Sequence, residues 1–444
     1  MEDMVFYDRL QFAFTITFHY IFPQLTMGLS LIIVYFKWRY IKTNLEKFND
    51  AAKFFMKIFA INFTIGIVTG VPMEFQFGTN WAEFSRRTGN IIGQTLAMEG
   101  TFSFFLESSF LVLFLFGEKL MSKKLHFLMA FLVFLGSWAS GYLILATNAW
   151  MQHPVGYKVM ENGVFVLDSF SALVFGNPWT IPAFLHNQIA AVVTSSFVVG
   201  SIGAFYILRE KNVEFGKLFL KTGVTFGLIS SLLVAFPTGD WNAKNVVKHQ
   251  PATFAAMEGI FETEEAGSEI VLIGQPNMLE KRIDNKIAVP NILSFLTYQD
   301  WNKQIAGMDQ FKKEDLPDNI PALYYAYHIM VGLGTVFIGI MMLAAFLLWK
   351  KKLYTMKPLL WTIMLLVPFP YIANIVGWYT AELGRQPFLV YGLFRTQHGV
   401  SPTVSSGNTL FTLLGFVAIY MLLGLLFLVL VGKTIHQGPK HQSH

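Results

Sequence analysis

The chain has 444 residues, of which 54% are hydrophobic and only 14% charged, with a formal net charge of +5. Soluble domains carry about 25% charged residues, so the composition excludes a water-soluble globule, and it is too apolar for a disordered chain. Cysteine is absent, which excludes disulfides, zinc–thiolate sites, iron–sulfur clusters and covalently attached c-type haem, and leaves His, Met and carboxylates for any metal chemistry. The expected fold class is all-α, a polytopic helical bundle in a lipid bilayer. A hydrocarbon core of about 30 Å takes about 20 apolar residues per helix. In chain order the qualifying stretches are 11–36, 54–71, 95–116, 127–147, 183–208, 218–236, 327–349, 359–378 and 410–431. They predict nine transmembrane helices. Acidic Glu2 and Asp3 stand where a secretory signal would carry a basic start, so no signal peptide is expected.

Lysine and arginine in short loops set the orientation. The loops after the first, third, fifth and seventh stretches hold runs such as Lys37, Arg39 and Lys42, then Lys123 and Lys124, then Arg209 and Lys211, then Lys350, Lys351 and Lys352; Lys433 and Lys440 follow in the tail. The opposite short loops hold few, among them Arg86, Arg87 and Lys158. The N-terminus is therefore expected outside and the C-terminus in the cytoplasm. The chain divides into helices 1–6 over residues 1–237, an outer loop over 238–321, helices 7–9 over 322–432 and a cytoplasmic tail over 433–444. A connection longer than about 15 residues is usually functional or disordered, and the outer loop is read as a substrate-binding one.

Ionisable residues inside apolar stretches are costly and point to function. His19 lies in the first stretch, His186 near the outer end of the fifth, and His328 and Met330 at the start of the seventh. Glu99, Ser103 and Glu107 are spaced i, i+4 and i+8 in the third, on one face over about 12 Å. Taken singly, a helical His is commonly a hydrogen-bonded structural residue, a Met a core filler and a carboxylate half of an ion pair. As a set they suit haem ligation, with His and Met clamping a six-coordinate iron and a second His serving an open one. The carboxylate stripe suits proton delivery. No His–His pair or three-His cluster suggests a copper site.

Several strings carry a resemblance. They are Arg9-Leu10-Gln11-Phe12-Ala13 through His19; Met73-Glu74-Phe75-Gln76-Phe77-Gly78-Thr79-Asn80-Trp81; Glu99-Gly100-Thr101-Phe102 with Glu107; and Asn148-Ala149-Trp150-Met151-Gln152. Further on come Gln250-Pro251, Ala255-Ala256-Met257-Glu258-Gly259, Ile329-Met330-Val331-Gly332 and the run from Trp378 to Pro387. From Arg9 to about Gly432 the chain resembles subunit I of the cytochrome bd-type quinol oxidases, terminal oxidases of bacterial and archaeal plasma membranes. The resemblance implies two haems b, one low-spin and one high-spin, and one haem d. It implies His186 and Met330 as the axial pair of the low-spin haem, and His19 and Glu382 as ligands of the other two, with their order open. Glu99 matches a carboxylate at the oxygen-reducing haem and Glu107 one lower in a proton path through Ser103. Trp378 and Arg385 flank Glu382 at i−4 and i+3, the guanidinium suited to a haem propionate. Asp240 and Glu258 match acids tied to quinol oxidation.

The sequence departs from the family pattern at three positions. Thr253 stands where Lys is frequent, His328 where Arg is common, and Phe388 where a Trp usually closes the Gly-Arg-Gln-Pro string. Met330 is preferred to His328 as a ligand because two residues differ by about 200° around a helix. The implied activity is quinol oxidation outside and oxygen reduction to water with cytoplasmic protons, which separates charge without a pump. The implied partners are subunit II, a possible one-helix subunit, quinol (menaquinol or ubiquinol), O2 and the bilayer, and no nucleic acid. Two rivals stand beside this reading: a cyanide-insensitive variant with b-type haems alone, and a haem-free transporter.

Overall fold

The computed structural model describes residues 2–264 and 267–439. Among them nine helices are long and apolar enough to cross a membrane. They are α1 (Glu2–Thr43), α2 (Glu46–Thr79), α3 (Ala82–Phe116), α4 (Lys123–Gln152), α5 (Thr180–Leu208), α6 (Val213–His249), α7 (Ile320–Trp349), α8 (Lys357–Arg385) and α9 (Ser406–Gln437). Each predicted stretch lies within one of them, in order. The helices overrun the predicted ends because backbone pairing continues past the last apolar residue into polar flanks such as 37–43 and 82–94. Lys440 lies outside the described residues.

The helix–helix connections differ at the two ends of the bundle. At the lysine-rich end they are short. At the opposite end three carry antiparallel hairpins: β1 (Tyr157–Val159) with β2 (Phe165–Leu167), β3 (Ile270–Asn277) with β4 (Arg282–Val289), and β5 (Phe388–Val390) with β6 (Phe394–Arg395). The segment expected as one long polar loop is largely ordered. Helix α6 breaks at Phe236, whose backbone is extended (φ −142°, ψ 128°) within the turn Val234–Gly239. It resumes as Asp240–His249, and the short helix Pro251–Glu258 and the β3–β4 hairpin follow.

Helix α5 is the centre of the bundle, with 78% of its apolar window buried, against 6% for α9. It packs on α6 through facing glycines; a Cβ on Gly223 would lie 2.6 Å from Gly200 Cα. Small residues let helix backbones approach closely in lipid. The lysine-rich half is a closed apolar core in which Phe55 meets Phe36 at 5.9 Å and Phe219 at 4.7 Å between ring centroids. The polar side chains singled out in the sequence cluster mainly in the other half.

Candidate functional site

The acids of α3 do not follow a straight helix. In an α-helix, residues i and i+8 diverge by about 80° around the axis. Here Glu99–Ser103 forms a π-turn, in which the Phe104 N–H reaches back to the Glu99 carbonyl. Its wider turn, at roughly 4.4 residues, brings Glu107 back nearly beneath Glu99. Both acids meet α4. Ser140 Oγ donates to Glu99 Oε1 at 2.6 Å, and the Ser137 hydroxyl stands beside Glu107. Gly136 lets the two backbones approach, since a Cβ there would lie 2.9 Å from Glu107 N. Glu107 is buried and its Oε1 has no hydrogen-bond partner. Glu74 of α2 interacts electrostatically with Glu99. The stripe therefore runs Glu107, Ser137, Ser140, Glu99, with Ser103 buried between the two acids.

The histidines sit in like settings on different helices. His19 Nδ1 of α1 lies 3.1 Å from Thr69 Oγ1 of α2. His186 Nδ1 of α5 lies 3.4 Å from Thr238 Oγ1, in the turn that breaks α6. Tyr20, next to His19, donates its hydroxyl to Asn187 Oδ1 at 2.6 Å, and Asn187 is next to His186. The Tyr20 ring meets Trp378 edge-on at 5.7 Å. On the same turn of α8, Gly377 lies against the thioether of Met330, where a Cβ would stand 2.9 Å from Sδ. Both ring nitrogens of His328 face backbone carbonyls instead, Tyr324 O at 2.9 Å and Val271 O at 3.1 Å.

Glu382 is held between two donors. Arg385 Nη2 donates to its Oε2 and Asn148 Nδ2 of α4 to its Oε1, the latter at 2.7 Å. Arg385 is buried, its Nη1 donates to Leu389 O, and its Nε has no partner. An imidazole pair, a thioether and a carboxylate thus project from α1, α5, α7 and α8, and a buried guanidinium keeps its Nε–H without a partner. Buried polar groups are rarely left unpaired, so a donor set of this chemistry, beside a buried guanidinium whose Nε–H has no partner, fits a haem and its propionate.

The two acids of the outer segment occupy different surroundings. Asp240 accepts from Lys244 Nζ at 2.8 Å across one helical turn. Glu258 is buried at the end of the short helix, whose Phe254 and Met257 join an apolar core with Phe261 and Leu323, and neither of its carboxylate oxygens has a hydrogen-bond partner. Burial pushes its carboxyl up to about 7, and the nearby Tyr327 hydroxyl of α7 eases the charge in part. The buried Tyr324 hydroxyl is also unpaired. Thr253 fills a close approach in which its Oγ1 donates to Gly384 O at 2.6 Å, tying the short helix to the Glu382 turn. Gln250 Nε2 binds Gln152 Oε1 at 2.8 Å, and Gln152 Nε2 binds Ala381 O at 3.2 Å, which makes a second tie. Phe388 is buried, with Arg395 4.9 Å over its ring.

Sequence reasoning missed Thr69, Thr238, Tyr20, Ser137, Ser140 and the roles of Asn148 and Gln152. The last two lie in a string that carries the resemblance, which is a usable signal; the others are contacts between distant helices.

Comparison with known proteins follows the same line. The profile described as Cytochrome bd terminal oxidase subunit I matches residues 7–439. The chain is 35% identical to cytochrome bd ubiquinol oxidase subunit 1 of Bacillus subtilis (strain 168), over all of this chain and 96% of that one. It is 29% identical to cytochrome bd-II ubiquinol oxidase subunit 1 of Escherichia coli (strain K12), over 99% and 98%. The structure of bd oxidase from Geobacillus thermodenitrificans superposes with a TM-score of 0.90 at 26% identity, covering 98% of this chain and 99% of that one. With nine apolar helices and a profile match over nearly its whole length, the chain is a multi-pass membrane protein and belongs to the cytochrome bd terminal oxidase subunit I family.

Proposed function

We propose that the chain is the haem-bearing subunit of a quinol:O2 oxidoreductase, working with a subunit II in a bacterial or archaeal plasma membrane. Its N-terminus faces outward and its C-terminus the cytoplasm, in line with the lysine-rich loops. The observation that carries the reading is the projection of His19, His186, Met330 and Glu382 from four helices, together with the orphaned Arg385 Nε.

His186 and Met330 hold the low-spin haem b, and His19 and Glu382 the high-spin haem b and haem d. The carbonyls facing both nitrogens of His328 favour Met330 as the ligand on α7. When bound, these haems carry electrons from quinol and reduce O2. The chain's own residues do the rest. Quinol, menaquinol or ubiquinol, docks at the outer segment. Glu258, poised near neutrality, accepts a quinol proton and releases it outside. Glu107 takes protons from the cytoplasmic side and passes them by Ser137 and Ser140 to Glu99. Arg385 and Asn148 orient Glu382, and Trp378 and Tyr20 fill the space between the ligand-bearing turns. Thr253 offers a hydroxyl where much of the family has a cation, so quinol contacts rest on Glu258 and its neighbours.

A dithionite-reduced minus air-oxidised spectrum of the purified complex tests this. Bands of b-type haem with a red chlorin band are expected, along with quinol-driven oxygen uptake. Bands of b type alone would place the complex in the variant without haem d. A folded but colourless complex overturns the reading.

A further inference from the structure

The two candidate histidine ligands rest on the same two-residue device, drawn from different helices. Thr69 is followed by Gly70 on α2, and Thr238 by Gly239 in the turn that breaks α6. Each threonine has one hydroxyl proton, and each has a backbone carbonyl to receive it. Thr69 Oγ1 donates to Ile65 O at 2.9 Å, and Thr238 Oγ1 donates to Leu233 O at 2.9 Å. The second bond reaches five residues back, which the π-turn Val234–Gly239 allows. With its proton committed, each hydroxyl meets the imidazole as an acceptor. The Nδ1 facing it, at 3.1 Å in His19 and 3.4 Å in His186, therefore carries the ring proton. A carbonyl also stands by each ring, Gly66 O and Val234 O, and a carbonyl is an acceptor too. The neutral tautomer this selects leaves the lone pair on Nε2, the nitrogen free to ligate a metal.

The glycines complete the device. A Cβ on Gly70 would stand 2.9 Å from His19 Cε1, inside contact distance, so the ring lies against a position that has no side chain. A Cβ on Gly239 would stand 2.7 Å from Val234 O and 3.6 Å from His186 Cε1, so this glycine is required by the turn that carries Thr238, while its contact with the ring is ordinary. The His19 cradle is therefore the tighter one in both its hydrogen bond and its glycine contact.

We infer that Thr69-Gly70 and Thr238-Gly239 are positioning pairs: each threonine fixes the proton on Nδ1, Gly70 admits the His19 ring and Gly239 admits the turn that carries Thr238, so that His19 and His186 present Nε2 to iron. The inference rests on the haem-ligand reading above. Groups that hold the far nitrogen of a metal-bound His typically contribute 10–100-fold in metal affinity.

The test is made on the purified complex, reading haem content, reduced-minus-oxidised spectrum and midpoint potential. Thr238→Val should weaken retention of the low-spin haem about 10–100-fold or shift its potential, and leave the other haem bands in place. Thr69→Val should do the reverse. The serine variants, which restore the hydroxyl, should recover native spectra. Gly70→Ala should disturb the haem held by His19 and leave the low-spin haem bands in place. Native haem content and potentials in both valine variants overturn the inference. His19→Ala and His186→Ala separate the two layers. If either keeps its haem, the ligand reading itself fails; if both lose it while the valine variants stay native, only the positioning role falls. Should a valine variant fail to assemble, the serine variant decides at that site: native haem content and potential uphold the role of the hydroxyl, and a lost or shifted haem overturns it.

Discussion

Glu107 and Glu258 are both buried acids with carboxylate oxygens that lack hydrogen-bond partners, yet they are built into opposite kinds of surroundings. Glu107 stands on a long helix, with Ser137 beside it and Glu99 above it across a π-turn. It is one member of a polar file. Glu258 ends a short helix whose apolar residues join a buried core, and Tyr324 and Tyr327 of α7 act on its carboxyl. Among the described residues its carboxylate oxygens have no hydrogen-bond partner. A file suits protons that pass through, and a solitary acid suits a proton that is picked up and released. Burial alone does not assign the role; the neighbours do.

The largest effect expected from breaking this contrast is at Glu258. Replacing it with Gln removes the proton acceptor and should cut quinol oxidation about 10²-fold or more. Oxygen uptake driven by a reductant that bypasses the quinol site should persist in the same preparation. Equal loss with both donors would place Glu258 in the oxygen reaction and erase the distinction. Glu107→Gln should slow turnover with either donor, by about 10²-fold or less, with full haem content. Loss of haem in that variant would make Glu107 a structural residue.

The contrast shows what a sequence yields and where it stops. Nine spans are legible because each is a run of apolar residues as long as a bilayer is thick, and loop lysines are legible for the same kind of reason. The candidate ligands emerge from residue types that do not belong in lipid, sharpened by strings such as the one that ends at Pro387. The π-turn at Glu99 has no such signal. Glu-Gly-Thr-Phe-Ser reads as ordinary helix, and the extra residue in the turn is set by packing against α4. Ser140 is 41 positions from Glu99 and Asn148 234 positions from Glu382, so no local pattern announces either contact. The outer segment reads as a loop because it is polar and rich in charge and proline. Its order comes from ties such as Thr253 to Gly384 and Gln250 to Gln152.

Acidity offers a finer test. Glu258 is held up to about 7 from an ordinary 4.5, by burial first. Only the ionised form accepts a proton, so quinol oxidation should fall as pH drops through about 7, and this limb should vanish in Glu258→Gln. The sign for stability is opposite. The folded chain binds this proton more tightly than the unfolded chain, so the contribution is most favourable below about 4.5 and is lost as pH rises through about 7. Oxygen uptake with the bypassing donor should lack the limb, which a pair of pH–rate profiles on one sample checks.

The smallest effect isolates the one group that offsets burial. The Tyr327 hydroxyl lies beside the Glu258 carboxyl and favours its charged form, short of a well-formed hydrogen bond. Tyr327→Phe keeps the ring and removes that help, so the carboxyl becomes harder to ionise. A hydrogen bond contributes about 1 kcal/mol, which moves the acid limb upward by about 0.7 pH unit. The maximal rate above the limb should change little, since the acceptor itself remains. A limb that stays in place would mean that Tyr327 packs against Glu258 without touching its proton, and the apolar wall alone would then set the acidity of the site.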